Sequence, residues 1–283
     1  MLAPLPSRAL IEVTGEDWRT FLQGQLTQDV ATLAPGEARF GALLTPQGRL
    51  LYDLFIVGRD DGCWLDVERE HREALIRRLT LFRLRAKVTF VANDSPVLAH
   101  FSPPPCGEGA GGGGVGSASV GVSPPPQPLP AGGRGFVRDP RLPELGWRGY
   151  ATPAHADADE AAYDLHRLRL GVPGPADWGS DRTYPIEANF DLLNGIDFKK
   201  GCFVGQETTS RMKRRGQIKN RMLPIAFDAP PPPFGAEVLN GERRAGEVLS
   251  GQDGHAMALL RLDRLEGELT ADGRKIRVAQ PAY

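Results

Sequence analysis

Hydrophobic and polar positions alternate along the chain in two distinct rhythms, and the changes between them mark out the elements. Thr14-Gly15-Glu16-Asp17 predicts a helix start, with Thr14 as cap and Asp17 three residues on. Trp18, Phe21 and Leu22 follow at i, i+3 and i+4, the spacing of one buried helical face. From Arg39 to Val67 the rhythm shortens to that of strands. Thr45-Pro46-Gln47-Gly48 and Arg59-Asp60-Asp61-Gly62 supply two tight turns, so the segment predicts a three-stranded antiparallel meander. Glu68 to Leu84 is helical, with Leu75, Leu79 and Phe82 on one face, and Lys87 to Val91 returns to strand.

Asp157 to Leu170 carries the strongest helical pattern, with Asp157 or Asp159 to cap it and Gly171 and Pro173 to stop it. Beyond Arg221, short strands are expected around Glu237–Leu239, Gly246–Leu249, Ala256–Leu262 and Lys275–Val278. The turn dipeptides Asn240-Gly241, Asp253-Gly254 and Asp272-Gly273 separate them. The expected class is therefore α+β, with a body over residues 1–221 and a small β barrel or sandwich over 222–283. Residues 102–135 interrupt the body. Between Ser102 and Pro130 eight glycines and eight prolines leave almost no apolar surface to offset ordering entropy, which predicts a flexible insertion with Cys106 incidental to it.

Composition narrows the function. At 283 residues, 41% hydrophobic and 24% charged, the chain has a globular composition and length for two or three compact units. No run of 18 apolar residues is present and Met1 to Val13 lacks a secretory layout, so no membrane role and a cytoplasmic location are expected. Three widely separated cysteines, Cys63, Cys106 and Cys202, fit a reducing compartment. With no CxxC pair and no histidine at ligand spacing, the chain is not expected to hold a metal or cluster on its own ligands alone. The net charge of −1 conceals an asymmetry: Lys199 to Arg221 contains eight basic residues against Glu207, which leaves −8 on the rest. That pattern predicts a local anion site rather than a nucleic-acid coat.

The basic segment opens with the densest chemical signal, Lys199-Lys200-Gly201-Cys202-Phe203-Val204-Gly205-Gln206-Glu207. Gly201 and Gly205 permit a sharp turn and the close approach of a ligand. A helix beginning at Glu207 and two neighbouring lysines would favour a thiolate at Cys202. A buried, inert cysteine is the competing reading, and the residues alone do not separate the two.

Lys-Gly-Cys-Phe-Val-Gly-Gln-Glu resembles the K-G-C-[FY]-x-G-Q-E signature of the YgfZ-type folate-binding proteins, a family related to the aminomethyltransferase T-protein. Gly24-Gln25-Leu26-Thr27-Gln28-Asp29-Val30, Pro46-Gln47-Gly48-Arg49 and Tyr184-Pro185-Ile186-Glu187-Ala188-Asn189 are similar to further segments of that family, in the same order. The resemblance implies a T-protein-like ring around a central folate cavity with a C-terminal β barrel. It also implies tetrahydrofolate as cofactor, and iron–sulfur assembly proteins or client apo-proteins as partners in cluster assembly or repair.

A pterin offers two parallel donors that match a carboxylate fork, for which Glu187 is the candidate, since the T-protein relatives place an acid in this segment. Trp178, Tyr184 and Phe190 could stack on the ring or simply pack in the core. Asp53, Tyr52, Asn189, Gly201, Gly205, Gln206 and Glu207 complete the expected ligand set, and Lys199, Arg211 or Lys213 could neutralise the folate tail. T-proteins are similar to Gly-Gly-x-x-Asp-Asp where this chain has Gly48-Arg49-Leu50-Leu51-Tyr52-Asp53. Tyr52 thus stands in the catalytic slot, and a phenol cannot supply the carboxylate. Folate-dependent aminomethyl or one-carbon transfer is accordingly the second reading. RNA binding ranks last, because Phe203 alone interleaves the basic stretch as an aromatic.

Overall fold

The computed structural model describes residues 1–102, 135–150, 155–216, 218–228 and 230–283. The greater part of the expected Gly/Pro insertion, with Cys106, lies outside them. Three sheets organise the chain. The first has five strands in the order β3-β4-β5-β2-β6, all antiparallel: β2 (Arg8–Thr14), β3 (Ala38–Leu44), β4 (Leu50–Gly58), β5 (Gly62–Glu68) and β6 (Thr89–Asn93). β3, β4 and β5 are the expected meander. Its turns close as the sequence predicts, with Gly48 N–H donating to Thr45 O at 2.9 Å and Arg59 N–H to Gly62 O at 3.0 Å.

Alternation sends successive side chains of these strands to opposite faces. Ile11, Val13, Leu54, Ile56 and Leu65 meet α1 (Trp18–Gln25) and α2 (Arg72–Phe82), while Leu10, Val57 and Trp64 face a second sheet. That sheet runs β1-β7-β9-β8, with β1 (Leu2–Pro4), β7 (Leu98–His100), β8 (Phe136–Arg138) and β9 (Trp147–Gly149). α3 (Glu160–Arg169) packs beside it, Tyr163 joining the same core. A short α4 (Pro175–Trp178) and α5 (Gln206–Arg215) precede the barrel. The barrel closes as β10-β13-β12-β11-β14-β15, with β15 returning to β10: β10 (Asn220–Ala226), β11 (Glu237–Asn240), β12 (Arg243–Gln252), β13 (His255–Arg261), β14 (Leu269–Ala271) and β15 (Arg274–Val278).

Several expectations are corrected. Thr14 is the last residue of β2, paired to Gly62 and Thr89, so α1 begins four residues later behind Asp17. The Asp17 carboxylate does not cap α1; it accepts from the Lys87 N–H at 2.8 Å. Phe82 is 49% exposed rather than buried with Leu75 and Leu79, because α2 ends there. α3 starts at Glu160, capped by Asp159, whose carboxylate accepts from Ala162 N–H at 2.9 Å. The barrel begins at Asn220, two residues before the expected boundary, and contains two strands the pattern did not announce, β10 and β14. Pro224 inside β10 hides the strand signal.

Candidate functional site

The loop that carries Cys202 is held from three sides. At its start the Asp197 N–H donates to Thr27 O at 3.0 Å. At its end the Val204 N–H donates to Gly24 O at 3.3 Å, and Phe203 inserts into the core beside Ile196 and Met222. Between these anchors, the Lys200 ammonium donates to the carbonyls of Gln23 and Leu26 at the C-terminal end of α1. That end carries the negative pole of the helix dipole and suits a cation. Gln23 answers by donating from Nε2 to Lys200 O at 3.2 Å. Burial lowers the Lys200 ammonium to about 8 against the raising effect of Asp29 and Asp197. Cys202 itself stays outside this packing as an exposed free thiol. The other described cysteine, Cys63, is buried, and its burial pushes the thiol far above the ordinary range.

The segments found around the cysteine motif in the sequence turn out to build its support. In Gly24–Val30, Thr27 Oγ1 donates to Gly195 O at 2.6 Å and Gln28 Nε2 to Asn194 O at 2.6 Å, which fixes the approach to the loop. Asp29 binds Gln23 and Arg39 and is lowered to about 2; burial opposes this, but hydrogen bonds from Thr32, Arg39 and Gln23 outweigh it. The Pro46–Arg49 turn lies against Gly205, the residue that starts α5 in a left-handed conformation (φ 80°). A Cβ on Gly205 would lie 2.6 Å from Thr45 O and 2.9 Å from the Gly48 Cα. The close approach this glycine allows is therefore to the chain's own backbone rather than to a ligand. Gly201 (φ 95°) faces open space.

The expected ligand residues separate into three groups. Glu187 and Asn189 serve the barrel. The Glu187 carboxylate accepts from Tyr184 N–H at 3.1 Å and Asn220 Nδ2 at 3.1 Å, and its backbone carbonyl accepts from Met222 N–H at 2.8 Å. Asn189 donates to Met222 O at 2.6 Å and to the Tyr283 hydroxyl at 2.8 Å, and accepts from Arg221 at 2.9 Å. Trp178 and Phe190 are buried against each other, and Tyr184 lies under the Arg49 guanidinium at 5.3 Å, so all three are engaged in packing. Lys199, Gly201, Gln206, Glu207 and Arg211 form the second group, on or just after the cysteine loop. There an open groove of about 570 Å³ is lined by Phe198, Gln206, Glu207, Ser210, Lys213 and Arg214. Tyr52 and Asp53 form the third. Tyr52 packs on the His71 ring, with centroids 5.3 Å apart, while Asp53 points into the interior.

That interior is where a central ligand cavity was expected, and it is already full. The space that remains there measures about 60 Å³, against about 300 Å³ or more for a pocket that encloses a small organic ligand. The Asp53 carboxylate accepts from Arg8 Nη1 at 2.9 Å. Arg8 Nε and the Arg148 guanidinium bind the two oxygens of Asp66 at 2.7 Å each. Arg141 binds Asp139 at 2.8 Å and the Tyr163 hydroxyl at 2.7 Å. Phe55 has the guanidinium carbons of Arg148, Arg141 and Arg8 at 3.8, 4.8 and 5.5 Å from its ring centre. The residues packed around Asp53 thus leave no room there for a pterin ring. These arginines are scattered singly through the sequence, and no spacing signal could have gathered them. Elsewhere among the described residues, Glu68, Glu70 and His71 bring ligand atoms within 4.8 Å of one another. His71 Nδ1 is already paired with Glu68 at 2.8 Å. No helix among the described residues is long and apolar enough to cross a membrane.

Comparison with known proteins gives this geometry a family. Residues 219–283 match the family model described as the CAF17 C-terminal beta-barrel domain. Over 97% of this chain and 82% of its own length, the human mitochondrial iron–sulfur cluster assembly factor IBA57 is 32% identical. The IBA57 homolog of Phaeosphaeria nodorum is 34% identical over 81% of this chain, which spans only 56% of that longer protein. Among solved structures, the glycine cleavage system aminomethyltransferase T from Bartonella henselae shares the fold, with a TM-score of 0.74 over 99% of this chain and 85% of its own, at 19% identity. The fold is thus that of the T-protein with a C-terminal barrel, and the chain belongs to the family of the IBA57 iron–sulfur cluster assembly factors.

Proposed function

We propose that the chain is an iron–sulfur cluster assembly factor in which Cys202 is the working thiol, presented to a partner protein or to a cluster in transit. The observation that carries this reading is an exposed cysteine on a loop clamped at Gly24, Thr27 and the end of α1. Thiolates are the ordinary protein ligands of iron–sulfur clusters. One exposed thiol does not complete a coordination shell, so the remaining ligands would come from an assembly protein or a client apo-protein. Cys63 does not compete, because its sulfur is buried. The lysines and arginines from Lys199 to Arg214 make the segment that carries Cys202 basic, which suits an anionic cluster and an acidic partner. Free thiols at both described cysteines fit a reducing compartment. Transferase chemistry gains no support, since Tyr52 packs on His71 and Asp53 is ion-paired.

The test is rescue of iron–sulfur enzyme activity in cells that lack the factor. Cys202→Ser is expected to abolish rescue while the purified variant keeps its unfolding midpoint, because the side chain supports no packing. Full rescue by Cys202→Ser would remove the thiol from the mechanism.

A further inference from the structure

The filled interior is continuous across the molecule. Asp53, Arg8, Asp66 and Arg148 tie the first sheet to the second, and Asp139, Arg141 and the Tyr163 hydroxyl carry the chain of contacts to α3. One turn further along α3, Arg167 binds Asp177 at 3.0 Å, and Asp177 Oδ1 accepts from both the Ser250 N–H and its hydroxyl on β12 of the barrel. All four arginines and all four aspartates of this chain of contacts are buried.

From this we infer that the ion-pair network is a permanent internal strut around Asp53, where the sequence resemblance led us to expect a folate contact, and that this interior takes no folate. Recognition of a pterin needs an available carboxylate fork, a free aromatic face and room for a bicyclic ring. Here Asp53 is held by Arg8, both oxygens of Asp66 are taken, and the Arg148 guanidinium lies 3.8 Å from the centre of Phe55. To admit the ring, guanidiniums would have to leave, and Asp66 and Asp139 would stay behind as buried, unpaired charges. That requirement opposes binding more strongly than the lack of volume alone.

Calorimetric titration of the full chain with tetrahydrofolate under reducing conditions tests this, for the wild type, Asp53→Asn and Phe55→Leu. The expected result is no saturable heat in the wild type and no ligand-dependent rise in its unfolding midpoint. Saturable one-to-one binding that either cavity variant weakens about tenfold or more would overturn the inference. Binding that neither variant changes would place the ligand outside the cavity and leave the inference standing. Should Phe55→Leu fail to fold, Asp53→Asn still decides, since Arg8 keeps Asp66. Neither outcome bears on Cys202, which the rescue assay tests separately.

Discussion

At the residue scale, two glycines of one motif make unequal demands. Gly201 and Gly205 both have positive φ, but only Gly205 lies against backbone, at the Thr45–Gly48 turn. Gly201→Ala should therefore cost only the left-handed penalty, about 1–2 kcal/mol. Gly205→Ala should cost more, since the turn must also move; urea unfolding of the two variants checks the order. Lys200 makes a second prediction. Its two carbonyl bonds at the end of α1 are worth about 1–2 kcal/mol together, and Lys200→Met should speed hydrogen exchange of the Val204 amide by about tenfold. The pH dependence has a definite sign. The folded-state value of Lys200 is about 8 against an ordinary 10.5. Between those values the unfolded chain holds the extra proton, so this group's contribution to stability rises with pH across that window and is flat below about 8. Comparison of wild-type and Lys200→Met unfolding as a function of pH measures it.

At the scale of elements, the segment from Tyr184 to Asn189 is the seat of the barrel. Asn189 stands at φ 61° and bridges Met222, Tyr283 and Arg221. Asn189→Ala loses these bonds and adds left-handed strain, for about 2–3 kcal/mol in total. Asn189→Gly should recover the strain portion, and thermal unfolding of both variants separates the two contributions. The meander, α3 and four of the six barrel strands were legible because each carries its own period and turn residues. Gly241, Gly254 and Gly273 all take the positive φ that their turns require, and Asp253 and Asp272 take it with them. Thr14 misled because its pairing with Gly62 and Thr89 keeps it in β2, where the local pattern suggested a helix cap. The motifs were legible as motifs, but the contacts within them were not: the Glu187 carboxylate accepts from Tyr184 and Asn220, partners that only the folded chain reveals.

At the scale of the whole molecule, the buried charges join sheets and barrel. Asp66→Ala would take the closest partner from Arg148 and leave Arg8 with Asp53 alone, and should lower stability by about 3–5 kcal/mol, read from denaturant unfolding. Burial works against charge on Asp66 and Asp139, but Arg148 and Arg8 around the first and Arg141 around the second outweigh it and hold both below the ordinary carboxylate range. Their stabilisation is complete above that range and fades as pH falls beneath it, so acid unfolding should be shallower in Asp66→Ala than in wild type. The clamp on the cysteine loop has a temporal consequence as well. Its partners are far apart in sequence, Lys200 reaching back 177 residues to Gln23 and Thr27 reaching forward 168 to Gly195. Such distant pairings close late, so a half-made or misassembled chain would carry the sulfur without its posture, and only a finished molecule would present it on a clamped loop.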